Sequence, residues 1–175
     1  MAIRKIREQG DPILEKKCKP VSEMTPRLLE LVDDMFDTMY DANGVGLAAP
    51  QVGILKRIVV IDCSEERDEP IVLINPEVIE TRGEQTGQEG CLSVPGMCGI
   101  VTRPAYAKVK AFDEDMEEFT IEGEDILARA LLHECDHLEG RLYTELVEGK
   151  LMTAEEAAEL AEETNEETAE DGSEE

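Results

Sequence analysis

The chain has no tryptophan, and only three tyrosines and three phenylalanines in 175 residues. Its core must therefore be mostly aliphatic. Basic residues are scarce: 17 Lys and Arg stand against 42 Asp and Glu, a formal net charge of −25. Such a surface repels nucleic-acid phosphates and anionic membranes, so no direct nucleic-acid site and no membrane contact are expected. No segment approaches the roughly 20 apolar residues of a membrane helix. Residues 1–10 are charged and lack the apolar stretch of a signal peptide. The five cysteines (Cys18, Cys63, Cys91, Cys98 and Cys135) are an odd, scattered set, which suits reduced thiols in a cytoplasm rather than a disulfide framework.

A chain of this length suits one domain, which buries roughly 70% of its unfolded surface. A helix is expected from Thr25, a natural N-cap, through Pro26 to Asp41. Leu28, Leu31, Val32, Met35, Phe36 and Met39 recur on one face. Strands are expected at residues 57–62 and 71–75, with a further short one at 78–81. Residues 107–112 and 118–122 read as a hairpin around the polar turn 113–117. The glycine-rich stretch 83–104 reads as irregular. A second helix is expected from Asp125 to Leu138, stopped by Gly140 and apolar almost all round its first half, hence buried. From Met152 onward the chain carries acids and no bases. Residues 153–156 form a possible capping box for one more helix, with disorder expected beyond about Glu163.

The only two histidines lie four residues apart, in His133-Glu134-Cys135-Asp136-His137. On a helix, positions i and i+4 share a face, so both imidazoles can reach one metal ion. Glu134 points about 100° away from His133 around the helix. It can approach a metal-activated water as general base without ligating the metal. Two surface histidines would be the ordinary alternative, but the apolar flanks disfavour it. The pattern does not name a reaction. A zinc peptidase would need a third ligand such as Glu156 or Glu159. A non-catalytic structural zinc module would add Cys98 or Cys135 to Cys91 and the two histidines.

Two further segments bear on the third ligand. In Glu89-Gly90-Cys91-Leu92-Ser93 a cysteine sits in a polar, glycine-flanked loop. It is either a small buried apolar residue or a thiolate completing a site that keeps one position for water. Residues 44–51, Gly-Val-Gly-Leu-Ala-Ala-Pro-Gln, are either a tight turn with close backbone packing or a backbone that approaches a ligand, with Gln51 as donor.

The three segments together resemble the signatures of the peptide deformylase family, of the forms GxGLAAxQ, EGCLS and HExDH, in the family's order. The resemblance spans roughly residues 3 to 148. It implies an α+β fold with small, mostly antiparallel sheets around a central buried metal-binding helix and an N-terminal helix. Residues 1–150 would be the catalytic domain, and residues 151–175 an acidic tail, partly helical or disordered. The implied activity is hydrolysis of the N-formyl group from the N-terminal formylmethionine of nascent polypeptides, met at the ribosome, with release of formate.

By the same resemblance Cys91, His133 and His137 hold one divalent metal, natively Fe2+, with Zn2+, Ni2+ or Co2+ able to replace it. Glu134 is then the proton carrier, with the Gln51 amide and the Leu92 backbone N–H as oxyanion donors. Val45 and Gly46 would flank the substrate peptide, and Ile126 and Ala130 would line a methionine pocket. Arg129, one turn before His133, is costly to bury unpaired. It is expected at the pocket rim, near the substrate backbone or an acid. Glu89, at the same site, is expected to pair with Arg103 and orient the Cys91 loop. Asp136, next to His137 in the chain, is expected to hydrogen-bond among the groups that support the metal ligands, and Cys135 to point into the core.

Overall fold

The computed structural model describes residues 2–171, with side chains through residue 165. Helix α1 (Pro26–Asp41) begins as its sequence dictates. The Thr25 hydroxyl accepts from the Leu28 N–H, and Pro26 occupies the first turn, where its missing donor costs nothing. Its buried face, Leu31, Val32, Met35 and Met39, packs with Leu47, Ile58, Val60 and Ile74 into an aliphatic core.

Five antiparallel strands form the larger sheet: β1 (Gly46–Ala48), β2 (Ile58–Ile61), β3 (Ile71–Arg82), β6 (Tyr106–Phe112) and β7 (Glu118–Glu124), in the order β1-β2-β3-β6-β7. The hairpin expected around residues 113–117 is the β6–β7 pair. The two runs at 71–75 and 78–81 are one strand, β3. Asn75 has a positive φ of 51°, and the register shifts between Ile74 and Glu77. The Asn75-Pro76 pair is thus a bulge within the strand rather than a break in it. The Asn75 amide also holds Val21, donating to its carbonyl and accepting from its N–H at 2.8 Å each.

The stretch 83–104, expected to be irregular, is instead largely a second sheet. Strands β4 (Gln85–Gly90) and β5 (Met97–Arg103) pair along their whole length, and β8 (Glu148–Thr153) adds to β5. Gln-Thr-Gly-Gln-Glu-Gly carries no apolar alternation, so its strand character comes from backbone pairing with β5. On β5, Gly99, Val101 and Arg103 do alternate inward.

Helix α2 (Asp125–Leu138) follows β7 without an intervening loop. Asp125 takes a positive φ of 52°, and its N–H donates to the Ala105 carbonyl. The helix lies against β1, β2, β6 and β7 and buries Ala128, Ala130, Leu131, His133, Glu134, His137 and Leu138. Helix α3 (Ala154–Asp171) is capped by the Thr153 hydroxyl, which accepts from the Glu156 N–H, and is anchored by the buried Ala157. Its backbone stays helical past Glu163, contrary to the disorder expected there. Residues 172–175 lie outside the described residues. The architecture is α+β, with α2 at its centre.

Candidate metal centre

Helix α2 presents His133 and His137 one turn apart, and the loop after β4 brings Cys91 to them. The two Nε2 atoms are 3.2 Å apart, and Cys91 Sγ is 3.4 Å from His137 Nε2. All three donor atoms lie within 4.8 Å of one another. Glu156 and Glu159 are exposed on α3 and do not join this group, so the peptidase ligand set is not assembled. Cys98 and Cys135 stay outside it too, which removes the closed four-ligand module.

These donors fit a cation. Glu89 Oε2 accepts from His133 Nδ1–H at 2.8 Å, which fixes the ring so that its Nε2 lone pair faces the other two donors. Burial and the charge of neighbouring His133 press the pKa of His137 well below its usual value. Burial also works against a charged His133, but Cys91 and Glu89 beside it hold its pKa up at about 10. The two rings thus oppose one another's protonation, and a cation held by their Nε2 lone pairs would take the place of a proton there. Burial pushes the Glu134 carboxyl up to about 7, and its Oε2 is buried with no hydrogen-bond partner.

Glu89 is the hub beneath the histidines. Its carboxylate accepts from Arg103 Nε at 2.7 Å and Nη2 at 2.6 Å, and from Arg129 Nη1 at 2.9 Å. Glu89 and Arg103 are both buried; breaking such a pair from one side typically costs about 3–5 kcal/mol. Hydrogen bonds from Arg103 hold the Glu89 pKa below the carboxylate range, against the burial that would raise it. Arg129 has thus found an acid, as expected, and also donates to the Val101 carbonyl. Asp136 accepts from Arg103 Nη1 at 3.0 Å, and Arg103 in turn holds the Glu89 that orients His133. Cys135 is half-buried beside Arg57 and Asn75 rather than in the core.

A cavity of about 350 Å³ opens over these residues, lined among others by Val45, Gly46, Gln51, Cys91, Leu92 and Glu134. Ala130 forms part of its wall, while Ile126 is exposed at its rim and is not core. Strand β1 is the edge of its sheet, so among the described residues its outer side has no strand neighbour. The Gln51 side chain is oriented from both ends. Its Oε1 accepts from the Ala48 N–H at 2.9 Å, and its Nε2 donates to Ser93 Oγ at 3.0 Å, 3.5 Å from Cys91 Sγ.

Sequence reasoning missed two residues here. Ser93 ends the EGCLS segment, which was signal enough. Tyr143, whose ring lies 5.9 Å from that of His133, had none.

The family model for polypeptide deformylase matches residues 3–151. A peptide deformylase of Agathobacter rectalis is 64% identical over 151 residues, covering 86% of this chain and 94% of the relative. Peptide deformylase 1 of Clostridium acetobutylicum is 58% identical over 145 residues, covering 83% and 95%. Among solved structures, a Legionella pneumophila peptide deformylase has a TM-score of 0.80 at 40% identity, with 99% of each chain covered. One from Synechococcus elongatus in complex with actinonin has a TM-score of 0.79 at 41% identity, covering 83% of this chain and 79% of that one.

Proposed function

The chain belongs to the peptide deformylase family, and from that premise we propose which of its residues perform the reaction and with which metal. As a peptide deformylase it hydrolyses the N-formyl group of N-terminal formylmethionine on nascent polypeptides and releases formate. Cys91, His133 and His137 hold one divalent cation. Convergence of one sulfur and two ring nitrogens on one point is the observation that carries this reading. That cation supplies Lewis acidity, acidifying a water and polarising the formyl carbonyl. Fe2+ is its proposed identity, exchangeable for Zn2+, Ni2+ or Co2+, since this donor set suits each.

Glu134 takes a proton from the attacking water and returns it to the leaving amine. Its buried, unpaired Oε2 and its pKa of about 7 suit a group that must both accept and release a proton. The Gln51 amide and the Leu92 N–H donate to the oxyanion. Gln51 suits this role because its other end is tied to Ala48. The substrate backbone lies along Val45 and Gly46 on the free edge of β1, by strand addition. The methionine side chain enters between Ile126, Arg129 and Ala130, with Glu89 beneath.

Residues 1–150 form the catalytic domain, and residues 151–175 an acidic appendage that starts on β8. The enzyme works in the cytoplasm on chains emerging from the ribosome; no described helix is long and apolar enough to cross a membrane. Contact there must avoid ribosomal RNA, whose phosphates repel this surface. The test is formate release from formyl-Met-Ala-Ser by protein purified anaerobically with iron. Glu134→Gln should keep its metal and lose about 100-fold or more of the rate. Full activity in that variant removes Glu134 from its role.

A further inference from the structure

A charged side chain from a distant loop grips the lip of the cavity, and the reaction described above gives it no part. Arg67 lies in the loop between β2 and β3, with a positive φ of 57°. Its Nη2 donates to the Gly44 carbonyl, and its Nη1 donates to the Asp62 carbonyl at 3.1 Å. Its guanidinium carbon lies 5.0 Å from the centre of the Tyr40 ring. The loop is itself fixed. Asp62 is buried and accepts from Tyr40 Oη at 2.6 Å and from the Ser64 hydroxyl and N–H; the Ser64 hydroxyl accepts in turn from the Asp68 N–H. Asp62 also donates its N–H to the Val45 carbonyl at 2.9 Å.

The segment so gripped leads directly into β1. Asn43, Gly44, Val45 and Gly46 all line the cavity. Gly44 is packed so closely on Leu92 that a β-carbon there would come within 2.6 Å of its side chain. Residues 43–45 lie before Gly46, the first paired residue of β1. Their backbone is tied by the Asn43 and Gly44 N–H groups to the Tyr40 and Met39 carbonyls, by the Val45 carbonyl to the Asp62 N–H, and by Arg67 at the Gly44 carbonyl. With the Gly44 carbonyl untied, its peptide plane must be ordered each time a peptide adds to the edge, which weakens binding without altering the reacting groups.

We infer that Arg67 is a positioning residue for the substrate: by tying the Gly44 carbonyl to the Asp62 loop it presets the lip on which the peptide backbone docks. The inference rests on the deformylase reading of the cavity. It separates binding from chemistry, because Arg67 reaches neither the metal ligands nor Glu134.

The test compares wild type, Arg67→Ala and Arg67→Lys on formyl-Met-Ala-Ser and on formyl-Met, whose shorter backbone uses less of the edge. Arg67→Ala should raise KM for the longer peptide about tenfold while kcat changes less than about twofold. The effect on formyl-Met should be smaller. Hydrogen exchange at residues 43–46 should speed up, and millimolar guanidinium should restore part of the lost affinity. Arg67→Lys, which keeps the charge but not the two-pronged grip, should fall between. Unchanged KM in Arg67→Ala overturns the inference, as does an equal loss on both substrates that follows metal content or melting temperature. Should Arg67→Ala fold poorly, the Arg67→Lys comparison decides alone. If wild type releases no formate from either substrate, it is the deformylase reading that falls.

Discussion

The carboxylate of Glu134 occupies space that only a glycine at position 46 leaves open: a β-carbon built on Gly46 would come within 2.6 Å of Glu134 Oε1 and 2.9 Å of its Cγ. Those separations are shorter than van der Waals contact allows, and because Cγ is not the free end of the side chain, the whole of Glu134 must shift to admit a β-carbon. The strand proposed to face the substrate and the proposed proton carrier are therefore packed against each other.

Gly46→Ala should in consequence displace Glu134 rather than merely crowd the peptide. Misplacing a reacting group by about 1 Å can cost on the order of 100-fold in rate. The expected result is a fall in kcat of that size, with metal content kept and KM much less affected. Normal kcat with raised KM would mean that the carboxylate yields freely.

A second prediction concerns Glu89. Removing a carboxylate that orients a metal-binding histidine typically lowers metal affinity by about 10–100-fold. Here the same change also takes a buried carboxylate from Arg103 and Arg129, leaving Arg103 with Asp136 and Arg129 with the Val101 carbonyl. Glu89→Ala should thus lose metal in chelator titrations and melt at lower temperature. Glu89→Gln, which can still accept hydrogen bonds, should lose less of both. Equal and unchanged metal affinity in the two variants would show that His133 needs no orienting partner.

The third prediction follows from pH. Asp34, on α1, accepts from the Ala2 N–H at 2.8 Å, and Arg4 Nε donates to it at 2.9 Å. The first of these, aided by Arg4 and opposed by burial, lowers its pKa below the usual carboxylate value. A lowered folded-state pKa contributes stability above the unfolded value, and that contribution disappears as pH falls through the ordinary carboxylate range to the folded pKa. Wild type should exceed Asp34→Asn by about 1 kcal/mol near neutral pH, a figure kept small because the Arg4 side chain is 34% exposed. The gap should close as pH falls below the ordinary carboxylate range. Melting curves of both proteins between these limits check it, and a gap that widens on acidification contradicts it.

Where residues announce themselves through local chemistry, the sequence was legible. Thr25-Pro26 opened α1 at the expected place, and the spacing of His133 and His137 delivered two ring nitrogens to one point. Cys91 could be joined to them only through the resemblance, because nothing local says which loop folds back onto α2. The β4–β5 hairpin stayed hidden for a related reason: Gln85 to Gly90 has no apolar face, and its partner strand supplies the order. Asn75-Pro76 looked like a stop because turn chemistry and bulge chemistry use the same residues. Which acid Arg129 would find, and that Asp136 would act through Arg103, depended on the meeting of β4, β5 and α2, a long-range fact that no window of sequence contains.

The direct passage from β7 into α2 fixes more than position. With no slack between Glu124 and Asp125, the rotational phase of the helix is inherited from the pleat of the strand before it. One residue inserted at that junction would turn every later side chain by about 100°. It would carry both imidazoles off the axis on which Cys91 waits, while leaving composition, hydrophobicity and all three sequence signatures intact.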